Sequence, residues 1–483
     1  MEQNPIRIPS PILSMVPIIV LVGLLFIIIR IFGSDALDGA SQVVLLLATA
    51  IGCVISIGYS KIKWKTLEIA MVNNISGVSP AIIILLIIGA LSGTWMISGV
   101  VPTLIYYGLQ VLSPSFFLAS TCVICAIVSV MTGSSWTTIA TIGIALLGIG
   151  QAQGFSEGWI AGAIISGAYF GDKVSPLSDT TVLAASTTDT PLFNHIRYMM
   201  GTTVPSMCIT LIIFTIFGLS YEATESAHIA IYSEGLKETF NISPWLLLVP
   251  LATGIMIAKK VPSIITLFVS SVLASIGALI FQPSLSLEIS GGSVADAASL
   301  FKGTMMTWYG PTGIDTGNEA LNSLVSTRGM SGMLNTIWLI ICAMCFGGVM
   351  TASGMLASIT SLFLHHLKKT VQLVGSTVLS GLFLNIATAD QYISIILTGN
   401  MYKDIYAKKG YQSKLLSRTI EDSVTVTSVL IPWNTCGMTQ ATILGVATIT
   451  YLPYCFFNLI SPLMSVFIAL IGYKIKKVKD EKA

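Results

Sequence analysis

A chain of 483 residues that is 54% hydrophobic and only 10% charged, with a mean hydropathy of +0.85, is too apolar to close around one water-soluble core. It reads as an all-α polytopic membrane protein embedded in a lipid bilayer. The formal charge of +2, with basic residues scattered through short loops, gives no footing for a nucleic-acid partner.

The first apolar run, 11–31, is longer than a signal-peptide core and carries no cleavage site, so it is expected to stay as the first helix. Further runs able to span fall at 40–58, 79–101, 200–220, 244–258, 261–281, 333–353 and 451–473. Four stretches are interrupted. Residues 115–150 and 370–402 have polar centres at 132–135 and 385–390 and are expected as re-entrant hairpins, tolerable only where the tip is buried in protein or wet. Residues 157–190 and 415–445 are expected as helices broken in the middle, at 175–181 and 432–437. The eight cysteines, including Cys122 and Cys125 and then Cys342 and Cys345 at CxxC spacing, fall almost entirely inside apolar runs and read as packing residues. No cofactor is expected.

The positive-inside rule puts Lys61, Lys63, Lys65, Arg197, Lys259, Lys260, Lys368, Lys369, the 403–418 cluster and the 474–479 tail on one side. The acidic loop 221–241, with Glu222, Glu225, Glu234 and Glu238, falls on the other. This gives about ten transmembrane helices and both termini in the cytoplasm.

The halves resemble each other. Ser98-Gly99 matches Ser353-Gly354, the first hairpin tip matches the second, and Gly171-Asp172 matches Glu421-Asp422. The chain is thus expected to divide into an N-terminal helix (1–39), a first repeat (40–220), an acidic outer loop with a linking helix (221–260) and a second repeat (261–483). Because the counted topology starts the two units from opposite faces, the repeats are inverted, as in secondary transporters whose site lies between paired broken helices.

A carboxylate at the centre of a spanning helix costs about 2.5 to 3.5 kcal/mol, so Asp172 and Asp179 in GDKVSPLSDTTVLAAS (171–186) call for an offsetting role. A sodium ion needs a cage of oxygens to replace its hydration shell. Unwound carbonyls, half-helix ends, hydroxyls, amides and a carboxylate supply one. Four polar elements are expected to converge: Ser134, Ser135 and Thr137 at the first tip; Ser178, Asp179, Thr180 and Thr181 at the first break; Asn385, Thr388 and Asp390 at the second tip; Asn434 and Thr435 at the second break. Asp179 and Asn434 are the leading ligand candidates. Antiport also needs a carboxylate that takes up a proton, a role open to Asp172, Asp422 or Asp390.

Structural readings stand beside these. Asp172 can pair with Lys173, Asp179 can cap the second half-helix, and Glu421-Asp422 can be surface partners of the basic stretch ending at Arg418. His195 is a candidate pH sensor, and His365-His366 read as interfacial. A channel would not need ionisable groups at a broken helix. No metalloprotease motif or nucleophile–base pairing is evident, so the chain is not expected to be an enzyme.

The 171–186 motif, with GSSWTT (133–138) and YGPTGIDTG (309–317), resembles the NhaC-type sodium/proton antiporter family of the ion-transporter superfamily. The resemblance implies a bacterial cytoplasmic membrane, sodium ions as transported substrate exchanged for protons, and a homodimer with an elevator-type movement. It carries the transport motif onto Asp172, Ser178, Asp179, Thr180 and Thr181. Some members are similar to malate/lactate antiporters with the same motif, which keeps small organic acids, alongside lithium, as alternative cargo. The want of any core arginine other than Arg418 favours cation-only exchange.

Overall fold

With no water to solvate the backbone in a bilayer, an apolar chain must close its amide and carbonyl groups within helices, and this chain does. The computed structural model describes residues 7–32, 39–220, 226–317, 321–322, 325–364, 369–475 and 477. Glu222, Glu225, His365, His366 and Lys368 lie outside them, as does half of the 474–479 tail. Among the described residues nine helices are long and apolar enough to cross a membrane, or up to eleven if each of two bent pairs is one span. Three of the nine, Pro114–Thr132, Ser135–Ala152 and Thr370–Thr388, are hairpin arms, which the expected ten crossings left out.

Both hairpins form. The first runs from Pro114–Thr132 into Ser135–Ala152, the second from Thr370–Thr388 into Gln391–Lys408. Their arms, at 18 or 19 residues, are each about 28 Å long, close to the thickness of a bilayer's hydrocarbon layer. Both broken helices form as well. Glu157–Val174 is followed, after a short unwound stretch, by Asp179–Thr187. Ser413–Ile420 runs into the π-helical turn Glu421–Thr425 and the 3-10 turn Ser428–Leu430, and after the break Thr435–Leu444 resumes.

Two expectations are corrected. The run at 451–473 is not one straight span: Thr448–Tyr454 meets Phe456–Ile471 at 55°, next to Pro453, which has no amide hydrogen to give to a continuing helix. The register between the halves also differs at the broken helices. Left-handed residues Gly99 and Gly354 correspond, as do Gly133 and Ala389 at the tips, and the helix caps Ser178 and Asn434 at the breaks. Laid on these anchors, Asp172 falls on Ser428 and Asp422 on Ser166, so Gly171-Asp172 and Glu421-Asp422 are not equivalents.

The GIDTG segment is a structured turn in the connector before the Leu334–Ala352 helix. Asp315 Oδ1 accepts from Gly317 N at 3.0 Å and from Asn322 Nδ2 at 3.1 Å, and Thr312 and Thr327 exchange backbone hydrogen bonds.

The largest apolar cluster gathers the first hairpin and the first broken helix, with Phe117, Cys122, Cys125, Ile160, Ile164 and Tyr169 all buried. All eight cysteines are free thiols. Gly167 and Gly171 bring the broken helix directly onto the hairpin backbone: a Cβ there would overlap the carbonyl oxygens of Cys122 and Ala126. Gly167→Val is therefore expected to cost about 1 to 3 kcal/mol by overpacking, read as a lower melting temperature in detergent. Gly201→Val, where a Cβ meets nothing within 4 Å, is the control expected to melt like wild type.

Candidate functional site

Four helix starts fall at the two hairpin tips and the two breaks, and their amides need acceptors. Each finds one in the side chain placed just before it. At the first tip Gly133 takes φ 66°, a left-handed conformation that costs glycine little, and Ser134 Oγ accepts from Thr137 N and Thr137 Oγ1, both at 3.2 Å. At the second tip Ala389 takes φ 58° and Asp390 Oδ1 accepts from Ile393 N at 2.9 Å. A threonine closes each turn: Thr132 Oγ1 accepts from Ser134 N at 3.1 Å, and Thr388 Oγ1 from Asp390 N at 3.2 Å. At the breaks Ser178 Oγ accepts from Thr181 N at 3.4 Å, and Asn434 Oδ1 from Cys436 N at 3.1 Å.

Each tip docks on the break of its own half. Ser135 donates to Asp172 Oδ2 from its amide at 3.2 Å and from its hydroxyl at 2.7 Å. Thr181 Oγ1 donates to the Lys173 carbonyl at 3.0 Å, and the Ser178 and Thr180 hydroxyls lie 3.0 Å apart. In the second half, Thr435 donates from N to the Ala389 carbonyl at 2.9 Å and from Oγ1 to Asp390 Oδ2 at 3.2 Å. Asn434 Nδ2 donates to the Asn385 carbonyl at 3.1 Å. Asn385 Nδ2 in turn reaches the Val424 carbonyl at 2.7 Å, which leaves its own Oδ1 buried without a partner. That oxygen is an acceptor of the kind a cation takes.

The two clusters adjoin. Tyr392 of the second tip lies within electrostatic reach of Asp172 and Asp179 as well as Asp390 and Cys436. Cys436 has Tyr169 and Trp136 of the first half beside it, and its thiol donates to Gln391 Oε1 at 3.1 Å. Asp172 and Asp390 are buried, whereas Asp179 is exposed. The alternative reading of Asp179 as a cap does not hold: Ser178 fills that place, and Asp179 is the first helical residue. Among the described residues no three His, Cys, Asp or Glu gather as around a resident metal.

One residue on from Asp172 a second network begins. Lys173 is wholly buried and turns away from Asp172, donating to Asp422 Oδ1 at 2.5 Å and to Ser461 Oγ at 2.9 Å. Thr202 Oγ1 donates to the same Asp422 oxygen at 2.9 Å. Arg418 Nε stands 3.7 Å from Asp422 Oδ2, with its guanidinium 4.8 Å from the Tyr198 ring centre. The local Asp172–Lys173 pair is thus not formed, and Glu421 and Asp422 are wholly buried rather than at the surface. His195, buried too, has Nδ1 2.8 Å from Ser417 Oγ. Sequence reasoning placed Gln391 at the converging second tip but did not find Lys173, Tyr392 or Cys436 as site neighbours. A lysine inside an apolar run was a usable signal for the first; Cys436 offered none beyond its place after Asn434-Thr435.

The profile described as the Na+/H+ antiporter family matches residues 167–473, which take in the first break, the second hairpin and the second break. The chain belongs to this family. It is 38% identical to the Na+/H+ antiporter NhaC of Bacillus subtilis (strain 168) over 411 residues, 84% of this chain and 87% of that one. It is 36% identical over 460 residues to the malate-2H+/Na+-lactate antiporter of the same organism, covering 94% and 93%. The arginine/ornithine antiporter ArcD of Halobacterium salinarum is 34% identical over 491 residues, covering 100% and 96%. Antiporters named for three different cargoes are this similar, so within the antiporter family the cargo has to be argued from the site.

Asp422→Asn leaves Lys173 as a buried, uncompensated cation, and breaking one side of such a pair costs about 3 to 5 kcal/mol. The single variant is expected to melt well below wild type in detergent. Lys173→Met combined with Asp422→Leu is expected to recover most of that loss, and a double variant as unstable as the single would show that the pair is not what is lost.

Proposed function

We propose that the chain exchanges sodium ions for protons across a bacterial cytoplasmic membrane, with the ion held between the two hairpin tips and the two helix breaks. The observation that carries this reading is the converging pair of tip-and-break clusters. Each offers one buried carboxylate, Asp172 or Asp390, among hydroxyls and amide oxygens, and Asn385 Oδ1 is left over. Such a set suits an alkali cation: oxygen donors, little excess charge, and helix ends whose partial charges are already balanced. Lithium fits the same donor chemistry. Exposed Asp179, next to the Ser178 cap, adds a negative charge that raises the local cation concentration beside the site.

In this reading the two halves are inverted repeats and both termini are cytoplasmic. Each hairpin moves with its broken helix in an elevator-type alternation, in a homodimer. A sodium ion entering between buried carboxylates shifts the local charge by one, and the release of a proton from a nearby carboxyl restores it. That exchange of one positive charge for another is the coupling.

A carboxylate-exchange reading is favoured by one observation, that Arg418 is buried with Nε and Nη2 lacking hydrogen-bond partners. Against it, Arg418 is turned to Asp422 and the Tyr198 ring, and Lys173 is spent on Asp422.

Proteoliposomes with an internal pH dye distinguish these. An external sodium pulse is expected to alkalinise the lumen promptly with no organic solute present, and Asp172→Asn is expected to abolish the response. Movement only with malate or lactate would transfer the assignment to carboxylate exchange, and movement only with arginine or ornithine to amino-acid exchange. Asp179→Asn is expected to raise the sodium concentration needed for half-maximal flux severalfold while leaving the maximal rate near wild type.

A further inference from the structure

The π-helical turn Glu421–Thr425 sets a second carboxyl group beside the cation site but outside both tip-and-break clusters. Single π turns inside α-helices recur at functional positions, because the extra residue re-aims a side chain. Here the re-aimed group is Glu421. It is wholly buried, and neither carboxyl oxygen has a hydrogen-bond partner. Thr425 stands beside it, its hydroxyl close enough to serve as a weak donor. An ionised carboxylate buried with no better donor than this pays much of the cost of leaving water, whereas the neutral acid pays far less.

The charges around Glu421 are few. From the first broken helix it is faced by Lys173 and Asp172, and on its own helix by Asp422, with Arg418 one turn earlier. The helices Thr370–Thr388 and Phe456–Ile471, packed on the π turn, bring no titratable side chain. Leu192–Ser220 brings His195 and Tyr198, which lie on Ser417 and Arg418. Gln391–Lys408 brings the buried Tyr402 and Tyr406, and the short helix Asp179–Thr187 brings exposed Asp179. Lys173 and Arg418 supply two positive charges. Asp422 stands against both, and Asp172, held by Ser135 and paired with neither, adds the second negative charge nearby. The group is neutral while Glu421 keeps its proton.

We infer that Glu421 carries the exchanged proton, at a position separate from the oxygens that hold sodium. This rests on the sodium/proton reading and assigns the proton within it. A sodium ion at the tip-and-break site adds one positive charge, and Glu421 loses its proton to the aqueous side then open. The carboxylate formed cancels the added charge. When sodium leaves, a proton from the other side restores the acid. Glu421 thus acts through the field of the site and touches no cargo ion.

The test separates the two halves of the exchange. In proteoliposomes with equal sodium on both sides and no pH gradient, tracer sodium–sodium exchange reports the cation site alone, and sodium-driven dye response reports the coupling. Glu421→Gln is expected to retain sodium–sodium exchange, to lose sodium-driven proton movement to the level of empty liposomes, and to flatten the pH profile of tracer exchange. Wild-type proton movement in Glu421→Gln would overturn the inference. So would loss of both activities in a folded, monodisperse variant, which would make Glu421 part of the sodium site or of the scaffold. A wild type with no sodium–sodium exchange would instead end the sodium reading itself. Should Glu421→Gln fail to fold, sodium-induced infrared difference spectra of wild type and Glu421→Asp decide. A protonated-carboxyl band that vanishes on adding sodium, and is shifted in Glu421→Asp, is expected. A band that sodium leaves unchanged would overturn the inference.

Discussion

A helix that stops inside an apolar chain leaves several amides without partners, and no solvent is there to take them. At its two tips and two breaks this chain closes each such stop with the residue immediately before the next helix: Ser134, Ser178, Asp390 and Asn434. The requirement explains the polar residues at the tips and breaks before any transport is invoked. It also explains why the site is there. Capping uses one face of each short polar side chain, and the groups left over, together with the unwound carbonyls, are gathered at one place because the four stops pack on each other.

A second constraint ties the halves together. Lys173 belongs to the first broken helix and Asp422 to the second, and both are fully desolvated. Pairs of this kind add little net stability compared with apolar replacements, since the desolvation cost consumes most of the attraction. What the pair does supply is direction: the two broken helices have one relative placement in which neither charge is stranded. Thr202 and Ser461 extend the same bonding to two further helices, so four elements share one pair of charges.

Much of the architecture was legible because it is written in interruptions of apolar runs. Both hairpins and both broken helices fall within a few residues of where polar centres predict them. What failed was whatever depends on which way a side chain faces. Asp179 looks like a cap from its spacing after Pro176, yet the hydroxyl of Ser178 sits one residue nearer the helix start and takes the amide. Lys173 lies beside Asp172 in sequence, but successive helical residues point to different faces, and its partner is 249 residues away. Glu421 and Asp422 follow a basic stretch closely, and two helical turns from half-buried Lys414 were enough to carry them to the centre. The register between halves went astray for a related reason. Carboxylates were aligned with carboxylates, whereas the shared features are caps and left-handed turns, which different residue types fill.

The seam of Gly167 and Gly171 against the first hairpin bears on how the site opens. Where backbone lies on backbone with no side chain between, there is no layer of rotamers to reshuffle, and sliding by a fraction of a turn would drive one main chain into the other. Hairpin and broken helix therefore form a single mechanical part. In the elevator-type alternation proposed above, the surface that yields is then the one between that part and the helices around it, and not the seam within it.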